Sequence, residues 1–137
     1  MKKLLLLLML VIGSLSAEEI HWEKDFTSAL AKAVNEDKPL MFLLSKHGCK
    51  WCVHLKENTL KDPEVIKMLN KNFISYEGYS DKGGFPRELL TSGTPATWFI
   101  SSDKKPMFQP IMGSMDRDNY LNALNIVLQE QKKSAKK

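Results

Sequence analysis

The sequence predicts a small α/β sandwich, a four-stranded mixed sheet with helices on both faces. Three observations carry this reading. Leu40–Leu44 is an unbroken apolar run of strand length, as expected of a central parallel strand buried on both faces. Helix-like and strand-like segments follow one another in the order α-β-α-α-β-α-β-β-α, the alternation of a layered α/β domain. That order also gives a right-handed crossover between the first two strands and a hairpin between the last two.

The chain opens with Met1-Lys2-Lys3, an apolar run from Leu4 to Ile12 and small residues from Gly13 to Ala17. These are the basic, apolar and small-residue parts of a secretory signal peptide. The apolar run falls short of the roughly 20 residues a spanning helix needs. Residues 1–17 are therefore expected to be a leader cut after Ser16 or Ala17, with an uncleaved anchor as the alternative. Residues 18–131 then form one domain, and 132–137 a disordered basic tail. About 120 residues suffice for a single core. Without Lys2 and Lys3 the formal net charge of +4 falls by two, so no nucleic-acid partner is expected.

Between Asp25 and Glu36, Phe26, Ala29, Leu30, Ala33 and Val34 repeat at helical spacing and mark a buried stripe. Asp37-Lys38-Pro39 ends that helix ahead of the Leu40–Leu44 strand. Residues 49–61 lack Gly and Pro and read as a helix, with Val53, Thr59 and Leu60 inward. Asp62 and Pro63 supply an N-cap and a first-turn proline for a short helix facing inward through Val65, Ile66 and Leu69. Residues 73–79 form a second, less apolar strand nearer the sheet edge. Residues 86–90 read as one or two helical turns, 96–100 as a third strand and 106–112 as a fourth. Pro110 places that fourth strand at an edge, since proline cannot donate to a ladder. Gly113 precedes a last helix, 116–131, with Tyr120, Leu121, Leu124, Val127 and Leu128 as its stripe.

Cys49 and Cys52 are the only cysteines, and two residues separate them. A disulfide closing so short a loop removes little entropy from the unfolded chain, so it is a poor staple. Their place between a buried strand and a helix favours redox chemistry instead. Cys49 falls at the helix N-terminus, where unpaired N–H groups and the macrodipole favour a thiolate. Lys46 and Lys50 add positive charge, and His47 stands close enough to tune the thiol. Cys52, one turn deeper, is the resolving partner in a two-step exchange. Zinc needs four ligands, and only His47 and His54 lie nearby; haem attachment needs a histidine where Val53 stands. The dithiol carries the chemistry itself, so no metal and no cofactor is expected. Trp51, between the cysteines, belongs to a substrate-facing surface, whereas His21 and Trp22 have no assignable role.

Leu40–Cys52 with its Cys-Lys-Trp-Cys, Thr94-Pro95 opening a late strand and Gly113 after the final strand together resemble the thioredoxin superfamily. Asp62-Pro-Glu-Val and Leu69-Asn-Lys-Asn-Phe73 look like its bacterial secreted branch. The resemblance covers nearly all of the chain beyond the leader. It implies a thioredoxin fold, a cis Pro95 facing the cysteines, and a Thr94 whose backbone pairs with bound peptide. Two departures stand out. The family's buried acid six residues before the first cysteine, which moves the resolving thiol's proton, is Leu43 here, and its tryptophan before that cysteine is Gly48. Glu57 and His54 are the nearest substitutes in sequence for the missing acid.

These readings imply a periplasmic thiol–disulfide oxidoreductase, exported across the inner membrane and monomeric. Reductase or exchange direction fits better than oxidation, because the 80–94 segment leaves no room for the helical insertion of dedicated oxidising relatives. Its expected partners are exported proteins bearing disulfides or thiols and a membrane-linked redox partner. The runner-up is a copper-binding chaperone using the cysteines with His or with Met107, Met112 and Met115, since thioether and thiolate suit Cu(I).

Overall fold

A computed structural model describes residues 16–137. The leader expected over 1–17 lies almost wholly outside the described residues. Among the described residues, four helices and four strands follow in the order α1 (Phe26–Glu36), β1 (Leu40–Ser45), α2 (Lys50–Glu57), α3 (Pro63–Asn72), β2 (Ile74–Tyr79), β3 (Ala96–Ile100), β4 (Ile111–Met112) and α4 (Arg117–Ala135). Single 3₁₀ turns lie at Thr59–Lys61 and Arg87–Leu89.

The sheet order is β2-β1-β3-β4. β1 runs parallel to β2 and antiparallel to β3, and β4 closes the far edge antiparallel to β3. Because side chains alternate across a strand, Met41 and Leu43 enter one core with Leu55, Leu60, Val65, Leu69, Phe99, Tyr120 and Leu124 under α2, α3 and α4. Leu40, Phe42 and Leu44 enter the other core with Phe26, Ala29 and Ala33 of α1, Tyr76 and Trp98. β1 is buried on both faces, as its unbroken apolar run requires. The outer edge of β2 is covered by the N-terminal segment, where Trp22 bridges to Ser75 and Glu23 N–H donates to Ser75 O at 2.8 Å. That gives Trp22 the role its sequence context did not disclose.

Four sequence expectations need correction. The helix expected over 49–61 breaks after Glu57, and Val53 is 55% exposed while Cys52 and Leu55 point inward. Burial of Cys52 fixes the helix phase, and Val53, the next residue round, is turned to solvent. Val34 is likewise 40% exposed, at the rim of the α1 stripe. The strand expected over 106–112 shrinks to Ile111–Met112, with one isolated bridge from Ile100 to Pro106. Pro106 and Pro110 lack the N–H groups that a continuous ladder needs. Finally, α4 runs to Ala135 through the basic residues expected to be disordered. Lys132 and Lys133 suit the negative end of the helix dipole, and buried Gln131 donates to Ser102 Oγ at 2.7 Å and to Asp37 Oδ1 at 3.3 Å.

Asp25, Asp62 and Asp116 cap α1, α3 and α4, each accepting backbone N–H bonds. Those bonds hold the Asp25 and Asp116 carboxyls below their ordinary range, chiefly through Ser28 and Asn119. Burial opposes the charge of Asp62, but bonds from Val65 N–H and Arg117 outweigh it and leave that group lowered too. A folded pKa below the unfolded value near 3.8 means stability that is present above pH 3.8 and lost as pH falls through the folded values. The urea midpoint is therefore expected to hold steady from neutral pH to about pH 5 and to drop below about pH 4. A midpoint unchanged down to about pH 2.5 would show that the caps contribute nothing.

Candidate active site

The site is built at the C-terminal end of β1. After Ser45 the chain turns through Lys46, His47 and Gly48, and Cys49 N–H donates to Lys46 O at 3.2 Å. Gly48 has φ 73, a left-handed conformation that glycine enters without strain. This is a backbone reason for a glycine where the resembled family keeps a tryptophan.

Cys49 then caps α2. Its sulfur accepts from Cys52 N–H at 3.2 Å and from Thr94 Oγ1–H at 3.3 Å. The other three helices carry an aspartate at this position. Cys49 thus places sulfur where the chain otherwise places a carboxylate, amid N–H donors and the positive end of a helix dipole. When the pair is reduced, both hydrogen bonds favour the thiolate over the thiol. Cys49 is half-buried, Cys52 is 2% exposed, and the two are joined as a disulfide with Cα atoms 5.3 Å apart. One cysteine is partly accessible and its partner is hidden.

Two further loops close on the pair. The Thr94–Pro95 peptide is cis, and Pro95 O accepts from Gly113 N–H at 2.8 Å, just beyond β4. Trp51 is 55% exposed and meets the edge of His54 at 5.2 Å. His54 Nδ1 lies 3.1 Å from Ser114 Oγ, and Thr59 Oγ1–H donates to Met115 O. These contacts tie the 113–115 loop to α2 and leave an open groove of about 520 Å³ lined by Trp51, His54, Asn58, Met115, Asp116 and Arg117. Lys50 Nζ sits 5.7 Å from the Trp51 ring centre.

Of the sequence-predicted residues, Cys49, Cys52 and Thr94 are in contact, and Pro95 and Trp51 flank them. His47 is turned away onto a different neighbour. Its ring stacks on Tyr79 at 4.3 Å and its Nδ1 lies 2.6 Å from Asp81 Oδ2, a bond that holds the Asp81 carboxyl below its usual range.

On the sheet face beneath α2 lies a group the sequence did not reveal. Glu77 pairs in register with Leu43. Its Oε1 accepts from Tyr79 OH and from Lys56 Nζ, the latter at 3.0 Å. Burial disfavours the Lys56 charge, but Glu77 more than offsets it and holds the ammonium above its ordinary range. The same carboxylate pushes the Tyr79 phenol up. Glu77 stands alone amid residues of strand type, and only the β1–β2 register sets it opposite Leu43.

The family model Thioredox_DsbH, described as "Protein of unknown function, DUF255", matches residues 12–82, more than half of the chain. The chain belongs to the Thioredox_DsbH family. Among curated proteins, spermatogenesis-associated protein 20 of Rattus norvegicus is 30% identical over 56 residues, 41% of this chain but only 7% of that relative's length. A thioredoxin from Thermus thermophilus superposes with TM-score 0.69 at 23% identity, over 80% of this chain and 88% of its own. A DsbH oxidoreductase superposes with TM-score 0.62 at 17% identity, over 85% and 89%. The fold of this Thioredox_DsbH member is the thioredoxin fold, and it carries a Cys49–Cys52 disulfide at the N-terminus of α2.

Proposed function

We propose that this protein reduces or exchanges disulfides of exported proteins in the periplasm, as a monomer recharged by a membrane-linked redox partner. The observation that carries the reading is the asymmetry of the pair, a partly accessible Cys49 bonded by Thr94 and a buried Cys52. The Cys49 thiolate attacks one sulfur of a substrate disulfide, and the other leaves as a thiolate. Cys52, deprotonated, attacks Cys49, releases the second substrate sulfur and restores the Cys49–Cys52 disulfide. Two electrons pass to the substrate, and the redox partner returns them. Trp51, Thr94 and Pro95 border the place where the substrate chain must lie, and Lys50 adds positive charge at the first position of α2. The leader-like residues 1–17 support export.

Met107 and Met115 pack against the core while Met112 is exposed on β4. That distribution favours packing roles over the copper-binding alternative.

Equilibration of the pair with glutathione buffers tests the direction. A potential near about −270 mV, like that of thioredoxin, is the expected result. A potential near about −120 mV would identify a disulfide donor and overturn the reductive direction.

A further inference from the structure

A thiol must lose its proton before it can attack, because the thiolate is the nucleophile. Cys52 is 2% exposed, so that proton has no open path to bulk water. The surroundings of α2 supply an acceptor. Cys52 and Lys56 are four residues apart in α2 and therefore share one helix face. The Lys56 ammonium reaches down to Glu77, whose carboxylate lies on the sheet face that α2 covers, in register with Leu43. Glu77 Oε1 is occupied by Lys56 and Tyr79, but Oε2 is buried without a hydrogen-bond partner among the described residues. Ser45 Oγ, next along the same face of β1, is buried and unpartnered as well. A buried carboxylate oxygen left unpaired costs free energy, and a role as proton acceptor accounts for it.

We propose that Glu77 Oε2 takes the Cys52 proton during resolution, directly or through one water, an assignment that rests on the exchange reading above. The Cys52 S–H bond breaks as the Glu77 O–H bond forms. The Cys52 thiolate then bonds to Cys49 sulfur, and the bond from Cys49 to the substrate breaks with its electron pair leaving on the substrate sulfur. In the reverse direction, neutral Glu77 returns the proton to Cys52 as the protein disulfide opens. Lys56 and Tyr79 both donate to Oε1 and leave Oε2 open to accept. Beyond them, Tyr79 is stacked by His47, itself paired with Asp81, and Lys56 shares a pocket with Glu19, Glu57 and Lys61. Glu57, a candidate from sequence, is exposed, and His54 is engaged with Ser114.

Reduced protein mixed with a chromogenic aromatic disulfide, dithiobis-nitrobenzoate, separates the steps. The first coloured thiolate reports attack by Cys49 and the second reports resolution by Cys52. In Glu77→Gln, the second release is expected to slow on the order of a hundredfold near pH 6 and to rise about tenfold per pH unit. A second release within about threefold of wild type from pH 6 to 8 would overturn the proposal. Lys56→Met, which keeps the carboxylate but removes its cation, should move the onset of the second release to higher pH. An unchanged onset counts against Glu77 even if the glutamine variant does not fold. If wild type releases no colour at all, the exchange reading falls rather than the role of Glu77 alone.

Discussion

Cys52→Ala is expected to accumulate mixed disulfides on Cys49 and to lose turnover on the order of a thousandfold. The cause is the division of labour that the proposed exchange assigns to the pair. Cys49 sulfur is half-buried at an N-cap and keeps the Thr94 hydrogen bond whether or not residue 52 is a cysteine. Alanine at 52 leaves the attacking group in place and removes only the group that resolves. Non-reducing electrophoresis followed by mass spectrometry, after incubation with an oxidised protein, reads the adduct directly. Cys49→Ala should give neither adduct nor turnover. Turnover near wild type in Cys52→Ala, with no adduct recovered, would overturn the two-step mechanism.

Phe42→Ala is expected to be among the most destabilising single changes. Phe42 is fully buried in the middle of β1, stacked on Tyr76 at 5.5 Å and flanked by Phe26 at 5.6 Å and Phe85 at 5.1 Å. The packing is tight enough that a Cβ on Gly78 would stand 2.9 Å from the Phe42 ring. Removing such a ring costs about 3–5 kcal/mol, against the roughly 5–15 kcal/mol that holds a domain together. In a chain of this size the melting midpoint of the oxidised protein should fall by roughly 10–20 °C. A fall of under about 5 °C would mean that the neighbouring rings collapse into the space. Phe42 touches none of the reacting atoms, so the variant at low temperature should retain exchange.

Much of this could be read along the chain. The unbroken run at Leu40–Leu44 places β1 in the centre of the sheet because only a strand covered on both faces needs no polar side. The caps at Asp62 and Pro63 and the stripe at Tyr120, Leu124 and Val127 are local signals, and their helices lie where those signals put them. Local signals misled where burial is decided from a distance. Val53 is apolar yet exposed because Cys52 fixes the helix phase, and the expected strand over 106–112 survives only at Ile111–Met112. Lys132 and Lys133 read as loose tail until buried Gln131 is seen bonded to Ser102 and Asp37, contacts that lie 29 and 94 residues away.

The same division applies to function. The sequence by itself determined the fold class and the place of the Cys49–Cys52 pair between β1 and α2, because each depends on residue type and short spacing. It also marked Leu43 as a place where an expected acid is missing. Only the tertiary structure decided that His47 turns to Tyr79 and Asp81, that Thr94 reaches Cys49 across 45 residues, and that Glu77 stands opposite Leu43. Those relations are set by strand register and by the packing of α2 on the sheet, and a pairing between distant segments leaves no periodic trace in either segment alone.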